Sequence, residues 1–336
     1  MTGTWTWATV TQATPLRIKV DGDTTPLDAT TDDLVGSLAV DDRVRVHLHA
    51  DGIIVTGIQG GGSRSNPNLL INSNFMVNQE GNTSGASVAP GAYALDGWKN
   101  NGDVVMGSGG LTDWFFSDSA GVRTIVLGKT TYHGFLREIV ETRNAPAGTY
   151  TLSWGGDVVG ALSNEGDAAQ LYKVSPITVT LNGTANVNVD LRGASDTVSW
   201  VKLEQGSVAT PYQPPLYGDN LRACMRYYEK SYNQGTAPGT ATSAGSVHGD
   251  GSTGGTTSYV GGGARFSVTK RGTPTITLYD LAGASGRVNR ENLSISSTTG
   301  NAASATQLGD SGFFAYSPSG ATAGQIAFHY VADARL

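Results

Sequence analysis

Two histidines, His47 and His49, stand two residues apart in the alternating run Val44-Arg45-Val46-His47-Leu48-His49. In a strand that spacing sends both imidazoles to one face. Neutral imidazole ligates metal ions, so three copies around a three-fold axis would bring six such rings to one structural ion. A pair of surface histidines is the plainer reading of the same spacing. A second chemistry is the stacking of apolar sugar faces on aromatic rings, with Asp and Asn side chains taking the hydroxyls. The densest aromatic cluster is Asp113-Trp114-Phe115-Phe116-Ser117-Asp118. Alternation puts Trp114 and Phe116 on one side and Phe115 on the other, so one core cannot take all three rings. Asp113, Trp114 and Phe115 are therefore candidate glycan contacts, with Tyr132 and His133 close behind, and Tyr259 and Arg287 further on. The competing use of these rings is core packing, which is the reading for Trp98 and Trp154.

Other chemistries find less support. Asp96, Asp103, Asp113, Asp118 and Asp157 are scattered without a calcium-loop spacing and read as turn formers. No GxSxG or HExxH motif occurs. Glu138 and Glu141, three apart on a strand-like stretch, would face opposite ways, and a paired carboxylate mechanism needs a fixed separation. Cys224 falls on an apolar helical stripe and reads as buried and inert; no motif pairs it with His248. The expectation is a protein that is not an enzyme and carries no cofactor, with the histidine pair as the one place for a structural metal ion.

The elements that would position these residues are nearly all strands. Short runs rich in Val, Ile, Thr and aromatics alternate with Gly, Asn, Asp and Ser clusters. They include Thr4–Val10, Leu16–Val20, Val44–His49, Thr149–Trp154, Ile177–Leu181, Val198–Leu203, Phe266–Val268, Thr275–Leu278 and Ile326–Tyr330. One helix is expected over 221–232, capped by Asp219, with Leu221, Cys224, Met225 and Tyr228 on one face. Of 336 residues, 46 are glycine, about twice the usual share. Charged residues are 15% and the formal net charge is −6. That balance argues against nucleic acid as a partner. No apolar run is long enough to span a membrane as a helix, no secretory signal pattern is visible, and a single cysteine excludes an intrachain disulfide.

The chain divides into an N-terminal small OB-like barrel (1–60), a Gly-Ser linker (61–67), a central jelly-roll β-sandwich (68–213), an extended segment with a short helix (214–232), and a C-terminal β-sandwich domain (233–336). Pro211, Pro214 and Pro215 keep the exit from the sandwich extended. The Gly/Ser/Thr tract 233–263 packs little apolar surface and suits a loop. The last module is small enough to complete its core by trimerising.

Asn68-Leu69-Leu70-Ile71-Asn72-Ser73-Asn74-Phe75 resembles the opening strand of jelly-roll modules in bacteriophage tail proteins, which are similar to carbohydrate-binding jelly rolls. Asp96-Gly97-Trp98, the closing phrase 202–212, the helix around Cys224–Lys230 and the ending 328–334 resemble further parts of the same proteins, and residues 1–60 resemble an OB-like barrel near the start of some of them. The resemblance implies a homotrimeric virion tail component. Its N-terminal barrel would attach to other tail or baseplate proteins and its distal part would meet bacterial cell-surface polysaccharide. The expected function is that of a tail-fibre receptor-binding protein working by multivalent adhesion. The alternatives are a structural baseplate or tail-tip subunit without ligand, and an envelope-degrading tail enzyme. Low charge and acidic balance favour neutral saccharides, while Arg265, Lys270, Arg271, Arg287 and Arg290 give the C-terminal region a local basic excess. That excess places the expected host contact at 233–336, with the jelly roll as second candidate.

Overall fold

A computed structural model of the chain describes residues 4–31, 38, 40–50, 52–58, 65–101, 114–119, 121–128, 134–167, 171–252, 258–290, 300–319 and 325–336. Two units emerge: Met1–Pro67 with Thr210–Gln213, and Asn68–Ala209 with Pro214–Leu336. Among the described residues no helix is long and apolar enough to cross a membrane.

The first unit is one six-stranded sheet. Its strands are β1 (Thr4–Gln12), β2 (Arg17–Val20), β3 (Leu27–Asp28), β4 (Thr30–Thr31), β5 (Arg43–His49) and β6 (Gly52–Ile58), in the order β3-β2-β1-β5-β6-β4. The edge strands β3 and β4 are separated in sequence by Ala29 alone, which brings the two edges of the sheet close at that point. The curled six-stranded sheet suits the expected small barrel, though among the described residues no pairing joins β3 to β4. Alternate residues Ala8, Val10, Ile18, Val20, Val44, Val46 and Val55 fill it. The backbone N–H of Asn66 donates to the Thr210 hydroxyl at 3.0 Å, tying the 210–213 segment into this unit.

The second unit opens with a β-sandwich. Its strands are β7 (Tyr93–Leu95), β8 (Trp98–Asn100), β9 (Trp114–Ser119), β10 (Val122–Leu127), β11 (Gly134–Val140), β12 (Gly148–Gly156), β13 (Val159–Asn164), β14 (Ile177–Leu181), β15 (Val187–Gly193) and β16 (Asp196–Gln205). They form two five-stranded sheets, β14-β12-β16-β10-β9 and β13-β15-β11-β8-β7. From β11 onward each strand lies in the sheet opposite its predecessor, which is jelly-roll connectivity. Trp98, Trp114, Trp154, Leu136, Leu152, Leu191 and Leu203 interlock between the sheets. The opening phrase 68–75 is not a regular strand. The Asn68 side chain takes ladder positions itself, donating to the Val201 carbonyl at 2.9 Å and accepting from Leu203 N–H at 3.0 Å. Asn72 then turns the chain with φ of 45°, a conformation Asn tolerates.

After the sandwich come α1 (Tyr217–Met225), β17 (Tyr228–Lys230), β18 (Val247–Ser252), β19 (Ser258–Arg265), β20 (Thr275–Tyr279), β21 (Arg287–Arg290), β22 (Asn301–Ala302), β23 (Ser304–Thr306), β24 (Gly312–Ser319) and β25 (Gln325–Asp333). Strand β25 is the hub. Its first half pairs with β18 and β21, its second half with β20 and β17. The helix is shorter than the apolar periodicity implies. Tyr228, Glu229 and Lys230 leave it to pair with Asp333, Ala332 and Val331, a tertiary ladder that overrides local propensity. Phe266–Val268 lies beyond the end of β19 rather than in a strand; there the Lys270 ammonium donates to the Val268 carbonyl at 2.9 Å. The glycine-rich tract contributes β18 and most of β19 to the sheet. A Cβ on Gly249 would lie 2.5 Å from the Cα of Gly262, so glycine lets β18 and β19 approach this closely.

The segments that carry the sequence resemblance meet inside this second unit. Asp96 accepts from the backbone and side-chain N–H groups of Gln79, both at 2.7 Å. The Gln79 side chain also donates to the Tyr228 carbonyl at 2.7 Å, and the Lys230 ammonium donates to the Gln79 carbonyl at 2.6 Å. Trp98 donates its indole N–H to the Asn72 carbonyl at 3.2 Å. Arg335 lies 4.0 Å from the Tyr93 ring centroid and 4.3 Å from that of Tyr228, and pairs with Glu80 and Asp333, each at 2.6 Å. Burial pushes the Asp96 carboxyl up, against the pull of its Gln79 hydrogen bonds.

Candidate functional site

The run Val187-Asn188-Val189-Asp190-Leu191-Arg192 alternates apolar with polar along β15. Val187, Val189 and Leu191 enter the sandwich core, so Asn188, Asp190 and Arg192 lie on the outward face. Antiparallel register sets Phe135, Arg137 and Ile139 of β11 opposite Arg192, Asp190 and Asn188, and Lys99 of β8 opposite Arg137. The Arg137 guanidinium donates to both Asp190 oxygens, at 2.6 and 2.7 Å. Burial works against the Arg137 charge, but the Asp190 hydrogen bond and charge outweigh it and the pKa ends raised.

Arg192 is held differently. Its guanidinium lies 5.4 Å from the Phe135 ring centroid and 5.7 Å from that of Tyr172, within cation–π range. The two rings meet edge to face at 6.4 Å. Among the described residues Arg192 pairs with no carboxylate, and its buried Nε has no hydrogen-bond partner. The buried Oδ1 of Asn188 also lacks one. Buried polar atoms without partners are rare, and each costs about 1–3 kcal/mol. Lys99 completes the face. Burial and then the Arg137 charge pull its pKa down, while Glu165 and Asp190 pull it up. The face thus offers two aromatic rings, a fixed donor and a fixed acceptor, a set that fits a hydroxylated ligand with an apolar side.

On the core side of β11, Glu138 sits between Leu136 and Val140 and is buried. Its Oε1 accepts from Ile71 N–H at 2.8 Å, while Oε2 has no partner among the described residues. Burial raises its pKa well above the ordinary range, against the pull of the Ile71 N–H hydrogen bond. Glu138 lines a cavity of about 40 Å³ together with Leu69, Ile71, Tyr93, Tyr227 and Arg335. That is room for about three waters and too small for a sugar ring. Glu141 has other partners, accepting from the Tyr227 hydroxyl at 2.7 Å and pairing with Arg226 at 3.1 Å and Arg143 at 2.9 Å. The two glutamates therefore do not work as a pair.

The residues singled out in the sequence are dispersed. Trp114 is fully buried in the sandwich core and donates its indole N–H to the Ala86 carbonyl at 2.9 Å, so it has no face for a ligand. Phe115, on the other side of β9, is 40% exposed. Phe116 takes the Arg123 guanidinium at 4.3 Å, and Arg123 is clamped by Asp118. Asp113, Tyr132 and His133 lie outside the described residues, as does the side chain of Tyr259. Arg287 is exposed, but its guanidinium donates to the Gly300 carbonyl. The basic residues of the C-terminal region differ in exposure, with Arg265 and Arg287 exposed and Arg271 and Arg290 half-buried. Lys270 is buried against Glu229 at 2.5 Å, Arg271 donates to the Ala334 carbonyl, and Arg290 donates to Asn301. His47 and His49 share the outer face of β5 with ring centroids 4.0 Å apart. Among the described residues no three metal-ligating side chains come together within one chain. Cys224 is buried, and burial pushes its thiol pKa well up.

The chain is similar in structure to discoidin II of Dictyostelium discoideum. One discoidin II structure aligns at 12% identity over 63% of this chain and 80% of that one, with a TM-score of 0.19. A second aligns at 10% identity over 76% and 92%, with a TM-score of 0.19. No protein-family model matches the chain, and no curated protein does. What the face binds is therefore read from its own groups. Those groups have a partial sequence signal: Asn188–Arg192 alternates polar with apolar, whereas Phe135-Leu136-Arg137-Glu138-Ile139 does not. The densest aromatic run lies instead on β9, where the largest ring, Trp114, is core.

Proposed function

We propose that the protein is a bacteriophage tail subunit that attaches the virion to bacterial surface saccharides by binding, without catalysis. The outward face of β15 carries the saccharide part of this reading, because Arg192 Nε, beside the Phe135 and Tyr172 rings, and Asn188 Oδ1 are buried without partners among the described residues. The virion part rests on the resemblance of 68–75, 96–98, 202–212 and 224–230 to tail proteins. Its support is that Asn72, Asp96, Trp98 and Tyr228 from these segments build one hydrogen-bonded joint. In this reading the N-terminal barrel attaches to the tail and the chain acts as a homotrimer. Three weak sites per trimer and several trimers per particle raise the effective concentration enough for durable attachment. A structural ion at His47 and His49 requires that trimer.

A ligand-free structural subunit is the second reading, favoured because the resembling segments build the buried joint rather than the β15 face. Co-sedimentation of the labelled full chain with envelopes from a panel of bacteria separates the two. The adhesive reading expects saturable binding to one or few strains, competed by polysaccharide purified from them. Absence of saturable binding across the panel would favour the structural subunit. New reducing ends in the bound polysaccharide would indicate an enzyme instead.

A further inference from the structure

We propose that the β15 face selects an anionic saccharide, with the ligand's carboxylate or phosphate seated on Arg192 and a hydroxyl on Asn188. This rests on the saccharide-binding reading and narrows it. The two arginines of the face are in opposite states. Arg137 is neutralised by a bidentate contact with Asp190 at 2.6 and 2.7 Å. Arg192, half-buried one rung away, has aromatic rings beside it but no carboxylate among the described residues.

A guanidinium drawn out of water without a counter-charge is unfavourable, and an anion is the group that relieves it. The Phe135 and Tyr172 rings flank this guanidinium, and its Nε–H lacks a partner among the described residues. Planar oxyanions match that fork. Asn188 Oδ1 lies four residues along the same strand, roughly 13 Å from Arg192 at the backbone. It can only accept, so it suits a hydroxyl or an amide N–H. An acid group at one end and a hydroxyl further along describe an acidic sugar chain better than a free anion. The overall charge of −6 does not oppose this, because a local cation in a half-buried site outweighs distant charges screened by salt.

The test is affinity electrophoresis of the full chain through three polymers: polygalacturonate, a poly(glycerol phosphate) teichoic acid, and carboxyl-reduced polygalacturonate as the neutral match. Retardation by at least one acidic polymer, weaker at high salt, with none by the reduced polymer, is the expected result. The two acidic arms tell carboxylate from phosphate. Arg192→Gln should lose about tenfold or more in affinity, while Arg222→Gln, the same charge change on exposed helix surface, should lose nothing. Circular dichroism checks folding, and if Arg192→Gln does not fold, Asn188→Asp brings a repelling charge to the same face and should weaken binding comparably. Equal retardation by acidic and reduced polymers would overturn the acidic preference and leave saccharide binding standing. No retardation by any polymer would overturn both. Equal losses in the Arg192 and Arg222 variants would overturn the site.

Discussion

Asn220 in the helix accepts a hydrogen bond at 2.8 Å from the backbone N–H of Asn72, 148 residues earlier in the chain. The Asn220 side chain also donates to Asn74 Oδ1 at 3.0 Å. With the Gln79, Tyr228 and Lys230 contacts, this makes the helix part of the sandwich as much as of the terminal sheet. A fragment comprising 214–336 alone should therefore fail to fold, leaving the Gln79-facing ends of Tyr228 and Lys230 unsatisfied. Near-UV circular dichroism of the fragment beside the full chain checks this, and a native-like spectrum from the fragment would count against it. In the full chain Asn220→Ala should cost about 1–3 kcal/mol, the penalty for orphaning a buried amide.

Trp114 and Phe115 are adjacent and opposite. Replacing Trp114 by Ala removes a fully buried indole and its hydrogen bond to Ala86, at an expected cost of about 3–5 kcal/mol. Phe115→Ala alters a side chain that is 40% exposed and should cost less than about 1.5 kcal/mol. Urea denaturation of both variants reads the difference. Similar costs would mean that the two faces of β9 are misassigned.

These neighbours also show how far the residues speak for themselves. Alternation states that Trp114 and Phe115 oppose each other, but which one faces inward depends on where the second sheet lies. The strands around Val44–His49, Thr149–Trp154, Ile177–Leu181 and Val198–Leu203 were legible because period-two patterning and β-branched residues agree. The end of the helix was not, since Tyr228–Lys230 is claimed by a strand a hundred residues later in the chain. The polarity of Asn188, Asp190 and Arg192 was readable as well. That Asp190 neutralises Arg137 and leaves Arg192 without a carboxylate among the described residues follows from the β11–β15 register, which no local pattern encodes.

Lys270 and Glu229 illustrate a charge pair turned inward. The ammonium donates to Glu229 at 2.5 Å and to the Met225 and Val268 carbonyls at 2.6 and 2.9 Å, while Glu229 accepts from Ser267 N–H and the Tyr330 hydroxyl. Glu229→Gln or Lys270→Met alone should each destabilise by about 3–5 kcal/mol, because the partner charge remains buried. The double variant should cost less than the sum of the two. A double-mutant cycle by chemical denaturation measures the coupling, and additive costs would show that the pair is not shielded from solvent.

Glu138 sets a pH dependence whose direction can be worked out. Its carboxyl has an ordinary pKa of 4.5 and a folded value raised well above that by burial. Below 4.5 both folded and unfolded chains hold the proton, and the group's stabilising contribution is fully present. As pH rises, the unfolded chain releases the proton first, so folding loses stability until the folded pKa is passed. Glu138→Gln keeps an acceptor for Ile71 N–H and abolishes the titration. Its Tm should match that of the parent near about pH 4 and exceed it by a growing margin towards about pH 8. Thermal melts of both proteins across that range make the comparison. Parallel Tm curves would show that Glu138 ionises alike in the folded and unfolded chains.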